Sequence, residues 1–526
     1  MRFKRMGWGI AALMVATLAG CGGGGGGGDG AAAPAGGGAG AAAAPAAAVP
    51  TGAAPVTLTA ATPAATLAAL TPAVTVGGVS ISSPPTVTFS VTDGATTNNA
   101  IIGLGYTTKN STAMYAGLSN IAFSLAKLVP GTNGSPSKWV SYIVTTVPTY
   151  KSATDKTVVN SVPTRPSTDN TGTLVDNGNG TYTYTFFRDI TKIKDQVAAA
   201  TVTAPNNTAD LGDLTYDPTL LHRLVIQVGG TVRGTGTNTA DGSNSGVTAV
   251  PMANPVNAVF DWWPATGRVA KATDTDQREI VSVQNCFQCH SKFTGFHTGT
   301  QVGVGVTSAS VAAAYPAQRQ DTRMCVVCHT DQRRYGRTEA TISGSAFSGS
   351  TNIVDGRAVG NLPNHIHKIH MGAMLTKTGY NYGGLLYNEI KFPQDIRNCT
   401  KCHDGSATAT NKTAQGDNWK NVPNRLACGA CHDGINFATG KGLTLADHFA
   451  GLTTSTYGHI GGIQTDDSKC ALCHAPAAIA VYHTAVTAPD TNSGLHVAGG
   501  SNNTNAAWVA GNHSNLPEGA IKVTYD

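Results

Sequence analysis

The sequence predicts a multidomain chain. An N-terminal antiparallel all-β domain, a sandwich or small barrel, is expected over residues 56–265. A loop-rich, mainly α domain with little regular structure is expected over residues 266–490. Three observations lead there. From Val56 to Trp263 there is no cysteine and a single histidine, His222. That stretch is built of short alternating polar and apolar runs broken by Gly, Asn, Asp and Pro, the pattern of antiparallel strands joined by turns. From Asp274 onward the alternation stops, and ten of the eleven cysteines fall into five copies of Cys-x-x-Cys-His.

The elements follow in chain order. Arg2, Lys4 and Arg5 precede an apolar run from Gly7 to Leu18, closed by Leu18-Ala19-Gly20-Cys21. A charged start, a short apolar stretch and a small-residue cleavage site make residues 1–20 a secretory signal, too short to remain as a membrane helix. The Leu-Ala-Gly-Cys sequence resembles the bacterial lipobox. That resemblance implies that Cys21 becomes the acylated first residue of the mature chain, and Gly22 in place of Asp implies the outer membrane. Residues 21–55 are a Gly/Ala/Pro tract with almost no charge and no large apolar side chain, which cannot bury enough surface to offset ordering and reads as a disordered tether.

Within the β domain, Thr86 to Val91 alternates, as does part of Trp139 to Val147. Thr181 to Phe186 follows the turn-rich Asp176-Asn177-Gly178-Asn179-Gly180, a hairpin signal. Leu221 to Val228 and Val256 to Trp262 complete a set of roughly seven strands, as in a sandwich or barrel. His222 reads as a structural strand residue. Only 12% of residues are charged, and 63 are Gly. The formal charge of +5 carries no nucleic-acid signal.

The motifs are Cys286-Phe287-Gln288-Cys289-His290, Cys325-Val326-Val327-Cys328-His329, Cys399-Thr400-Lys401-Cys402-His403, Cys428-Gly429-Ala430-Cys431-His432 and Cys470-Ala471-Leu472-Cys473-His474. In each, two thiols can bond the two vinyl groups of one haem, and the following imidazole can bind its iron. Structural zinc and disulfides are the alternatives. The pairing of all ten cysteines, each pair followed by His, points to five covalent c-type haems with proximal ligands His290, His329, His403, His432 and His474. With so little polypeptide per cofactor, the haems must form much of this half's core.

Nine further histidines could fill the opposite positions: His297, His365, His367, His370, His448, His459, His483, His496 and His513. Bis-His ligation throughout is therefore expected. Met371 and Met374 are alternatives at one haem, and a Met ligand would raise its potential. On a helix, His367 and His370 sit three residues apart on neighbouring positions, so one segment could serve two haems. His365 would point elsewhere.

The stretch from Arg278 to His483 resembles a pentahaem domain of the outer-membrane decahaem cytochromes of metal-reducing bacteria, the OmcA/MtrC type. The resemblance rests on the first motif followed by Phe293 and His297, Arg323 before the second, Ile366-His367-Lys368-Ile369-His370-Met371-Gly372, and His459-Ile460-Gly461-Gly462 between the last two. The β domain, with its Asp-Asn-Gly-Asn-Gly-Thr-Tyr hairpin and Leu221-His222-Arg223, is similar to that family's first domain. The resemblance implies distal ligands His297, His367, His370, His459 and His483, with His448 the main rival of His459. Family members typically repeat the β and pentahaem unit. This chain has one of each, then residues 491–526, where Leu516 to Asp526 look like a turn and the opening of a strand.

The resemblance implies an electron-transfer protein at the outer cell surface, lipid-anchored through Cys21. It would pass electrons between a porin–cytochrome conduit in the outer membrane and extracellular metal oxides, flavins or humics. It would be an electron carrier more than a substrate-specific enzyme. If counted as an enzyme, it would be a metal or flavin reductase. The alternative is a multihaem oxidoreductase acting on a small oxyanion such as nitrite. Those enzymes need an open iron, with Lys in place of His in one motif. All five motifs here end in His. No nucleic-acid partner is expected.

Overall fold

The structure is a computed structural model describing residues 43–59, 62–94, 97–105, 107–109, 111–232, 250–294, 297, 317–455 and 457–483. Cys21, His496, His513 and the tail over residues 491–526 lie outside the described residues.

The N-terminal half is a sandwich of two sheets. In one, Val56–Thr57, Asn99–Ile102, Thr86–Asp93, Thr181–Thr185 and Thr173–Asp176 lie in that spatial order, and Pro72–Ser80 pairs with the other side of Thr86–Asp93. Its short Val56–Thr57 edge is parallel to Asn99–Ile102, whereas its other pairings are antiparallel. The expected hairpin is present, with Asp176 opposite Tyr182 across the Asn-Gly-Asn-Gly turn. Gly178 and Gly180 there have positive φ, a conformation that glycine adopts without a Cβ clash.

The second sheet runs Arg268–Val269, Val256–Trp263, His222–Val228, Ile121–Val129, Lys138–Ser141, antiparallel throughout. Side chains two apart share a face of a strand. Val87, Phe89 and Val91 from one sheet therefore meet Phe123, Leu125, Leu224 and Ile226 from the other in a single core. Phe123 stacks on Tyr184 and meets Phe89 edge-on.

Residues 43–55, placed in the tether by composition, lie against this sandwich. Gly52 N donates to Asn98 O at 2.8 Å, and Asn98 Nδ2 donates to Thr51 Oγ1 at 2.9 Å. Hydrogen bonds to a sheet edge hold backbone that has few apolar side chains of its own, which composition does not forecast.

His222 is fully buried, with Nε2 3.1 Å from Tyr142 Oη and Nδ1 2.9 Å from Leu220 O. Burial holds its pKa down at about 4, against an ordinary 6.5. The unfolded chain therefore binds the extra proton first as pH falls. Its contribution to stability is complete above pH 6.5 and is lost as pH drops through about 4, amounting to roughly 3 kcal/mol. Urea titrations should show stability rising with pH across that window, and His222→Gln should flatten the rise. A pH profile identical in both proteins would contradict this.

The second half packs on the outer face of the second sheet. Ala126, Leu128, Trp139, Leu221 and Val225 form a cluster with Met324, Val327 and Cys328. The latter three sit on the helix Thr322–Cys328, whose N-terminus is capped by Asp321 accepting from Arg323 N at 2.8 Å. Gln332, 2% exposed, acts as a substitute strand partner: it accepts from Ser141 N at 2.8 Å and donates to Ser141 O and Leu211 O, both at 2.9 Å. Arg223 fills the same junction, paired with Asp261 and Glu279 and lying over the Trp139 ring.

Beyond this junction, regular structure is sparse. Short helices carry the motifs, and the longest helix among the described residues, Leu362–Met371, has ten residues with Pro363 in its first turn. It stops at Gly372, φ +50°, where a Cβ would run into Ile390 O. Two-residue and three-residue hairpins, such as Thr341–Ser343 with Ala346–Ser348, interrupt the loops. The alternation test misses these because they are too short to show a period. Among the described residues, no helix is long and apolar enough to cross a membrane.

Candidate haem sites

Each motif closes on itself in the same way. The backbone N–H of the histidine donates to the carbonyl of the first cysteine, four residues back. The distances are 2.9 Å for His290, His329 and His474, 2.8 Å for His403 and 3.0 Å for His432. One helical turn thus sets the two thiols on one side, a turn apart, and ends by projecting the imidazole. All ten cysteines are free thiols. Among the described residues, no three His, Cys, Asp or Glu side chains converge as a zinc site requires.

Each motif histidine has a histidine from elsewhere with its ring centre about 6 Å away. The ring centres are 6.3 Å apart for His290 and His370, 6.2 Å for His329 and His297, and 5.9 Å for His403 and His367. They are 6.1 Å apart for His432 and His483, and 6.3 Å for His474 and His459. An imidazole–metal bond is about 2 Å, and the ring centre lies about 1.1 Å behind the bonding nitrogen, so two imidazoles on opposite sides of one metal have centres roughly 6 Å apart. Ordinary ring packing spans this distance too. Here, however, the spacing recurs five times, always between a motif histidine and a non-motif one.

The hydrogen bonds of the other ring nitrogen fit the same purpose. Nδ1 donates to a backbone carbonyl in His329 (Gly360, 2.9 Å), His367 (Ala427, 3.2 Å), His370 (Ile366, 2.9 Å), His459 (Gly462, 2.9 Å) and His483 (Ile479, 2.9 Å). An Nδ1–H so engaged leaves the lone pair on Nε2, the tautomer a metal needs. Burial pushes His367 and His432 down to about 4 and His403 to about 3, which keeps those three rings neutral. It raises the thiols of Cys325, Cys399 and Cys431 to about 12. Desolvation raises the Cys428 thiol as well. Paired imidazoles beside paired thiols fit a covalently held haem.

Of the remaining candidates, His448 contacts Phe449 and faces no motif histidine. Met371 is buried in an apolar cluster with Leu375 and Tyr380. His365, which the sequence left without a role, stacks on His329 with ring centres 5.3 Å apart and has its Nδ1 2.5 Å from Tyr387 Oη. Helical spacing alone could not show that contact, because its partner lies on another segment.

The sites form a row. His297, seven residues after the first motif, reaches the second. The helix Leu362–Met371 serves the first site through His370 and the third through His367. Asn285 Nδ2 donates to Cys402 O at 3.0 Å and Lys401 Nζ to Gln288 Oε1 at 2.6 Å, tying the first motif to the third. Cys399 N donates to the carbonyl of His483, which faces the fourth motif. Arg425, before the fourth motif, pairs with Asp467, before the fifth, at 2.7 Å. The resulting order is second, first, third, fourth, fifth.

These features define a multihaem c-type cytochrome class of site. Residues 278–484 match the family model "Outer membrane cytochrome MtrC/MtrF-like, domains II/IV". A curated relative, the multiheme cytochrome MtrC of Shewanella baltica (strain OS185), is 24% identical over 317 residues, which is 60% of this chain and 31% of that protein. The crystal structure of MtrC from Shewanella baltica OS185 is similar at TM-score 0.40 and 21% identity, covering 78% of this chain and 44% of that one. That of the outer membrane decaheme cytochrome OmcA is similar at TM-score 0.39 and 22% identity, covering 70% and 44%. The chain spans less than half the length of these relatives.

Proposed function

We propose that the chain is a pentahaem electron-transfer protein whose haems are each held by two thioethers and two histidines. The ligand pairs would be His290 with His370, His329 with His297, His403 with His367, His432 with His483, and His474 with His459. The observation that carries this reading is the fivefold recurrence of a motif histidine about 6 Å from a non-motif one. A haem so bound supplies one-electron exchange without any bond being made in the protein. The chain's own part is to fix each imidazole through its Nδ1–H, exclude water, and set neighbouring sites in a row. With both axial positions taken, a small oxyanion has no iron to bind, which favours the carrier over the nitrite-type enzyme.

The relatives' description as outer membrane cytochromes, together with the signal and Cys21, supports a lipid-anchored protein facing the cell exterior. Its partners would be a porin–cytochrome conduit at one end and metal oxides, flavins or humics at the other. The domain limits 56–265 and 266–490 are part of the same proposal.

The mass of the mature protein should correspond to five haems, and its electron paramagnetic resonance spectrum should be wholly low-spin. Fewer haems, or a substantial high-spin population, would sink this reading. His367→Ala and His370→Ala should each keep all five haems but turn one high-spin or shift its potential. A variant with the spectrum and voltammogram of the parent would show that its histidine is not a ligand.

A further inference from the structure

Arg319 and Arg333 stand beside the second site, Arg165 feels the charge of Arg333 and Arg337, and all four are half-buried. Several arginines of this half pair with aspartates: Arg323 with Asp321, Arg334 with Asp210, Arg397 with Asp395 and Arg425 with Asp467. Among the described residues, Arg165, Arg319, Arg333 and Arg337 have no carboxylate partner. Arg165 Nη1 donates to Tyr335 O at 3.0 Å, and Arg333 Nε to Tyr382 Oη at 3.3 Å. The Tyr382 ring packs on His365 at 4.9 Å, and His365 stacks on His329. Arg319 Nε donates to Gln227 Oε1 at 3.2 Å, while its Nη1 lies 3.1 Å from Nδ1 and 3.3 Å from Nε2 of His297.

Arg319 shows what is missing. An imidazole that binds a metal through Nε2 keeps its proton on Nδ1, so neither nitrogen can then accept from a guanidinium. With a metal on His297, Arg319 Nη1 would lose that acceptor, and a carboxylate would replace it with matching charge. Half-buried charge without a counter-ion is costly, and guanidinium forks match carboxylates in two-point contacts.

We infer that Arg319 and Arg333, with Arg165 and Arg337 behind them, form a carboxylate site for the propionates of the second haem. The inference rests on the proposed haem ligation and adds what holds the anionic edge of this one. Positive charge beside the propionates disfavours the ferric state, so losing it should lower the potential of this haem alone. The site stands at one end of the row, where that potential sets the driving force for entry or exit.

Arg319→Gln and Arg333→Gln should keep five haems by mass and a low-spin spectrum. In protein-film voltammetry one of the five midpoint potentials should move negative, while Arg319→Lys and Arg333→Lys should stay near the parent. If both Gln variants are fully loaded and no potential moves, the inference is overturned. If a Gln variant loses one haem, its Lys counterpart decides: normal loading supports the charge role, and renewed loss overturns it. Inorganic phosphate added to the parent protein should leave all potentials in place. A saturable shift would mean that the cluster takes a soluble anion, which overturns the assignment to propionates. A parent protein short of five haems would instead sink the ligation reading beneath it.

Discussion

Replacing Arg223 with methionine is expected to cost about 3–5 kcal/mol of stability, the largest effect of any single side chain outside the haem motifs. Its guanidinium is 1% exposed and reaches Asp261 and Glu279, each at 2.6 Å, while Nη1 donates to Arg323 O at 3.3 Å. It also lies 4.3 Å from the Trp139 ring centre. Methionine would fill much of the space but leave two carboxylates in a buried junction without a cation. Burial already pushes the Glu279 carboxyl up despite Arg223 beside it, so without the arginine it would take a proton. Adding Glu279→Gln to the methionine variant should therefore recover part of the loss. Because Asp261 lies in the sheet and Glu279 just before the first motif, the same change should loosen the docking of the two halves. Urea titrations followed by far-ultraviolet circular dichroism measure the first effect, and proteolysis near Lys271 the second. A loss below about 1 kcal/mol would show the network to be no more than a surface ion pair.

Replacing Cys428 and Cys431 with serine is expected to break the row. The fourth site stands between the third and the fifth, joined by the Cys399–His483 and Arg425–Asp467 contacts. Without its thioethers the mass should fall by one haem. The fifth site would then lose its only neighbour in the proposed order. Rapid-mixing reduction should change from one concerted phase to two, one of them carrying a fifth-haem fraction that equilibrates slowly. A four-haem variant that still reduced in a single phase at the parent's rate would mean that the order is wrong.

How much of this was legible in the sequence depended on whether the information was local. Thr86–Asp93 and Thr181–Thr185 alternate because one side of each faces the core and the other does not, and the turn between Asp176 and Thr181 carries its own signature. Ile121–Val129, the centre of the second sheet, went unread. Eight of its nine residues are buried, since one face meets the sandwich core and the other meets the helix of the second motif. A strand buried on both faces has no period of two. The thiols and motif histidines were legible as fixed spacings. The five distal histidines were named through family resemblance, but their partners were not. His297 and His329 belong to different loops, and the distance between them is set by how the segments cross, which no spacing records. The stacking of His365 and the bridging by Gln332 were hidden for the same reason. So was the arginine cluster, whose members are spread from Arg165 to Arg337.

The central claim is the pairing itself, and diffraction at the iron absorption edge tests it most directly. Crystals of the haem-loaded protein should give five anomalous peaks. One each should lie between His290 and His370, His329 and His297, His403 and His367, His432 and His483, and His474 and His459. The peaks should fall in the order second, first, third, fourth, fifth along a single row. A peak with an imidazole on one side only, or bound by a histidine outside these ten such as His365 or His448, would contradict the account.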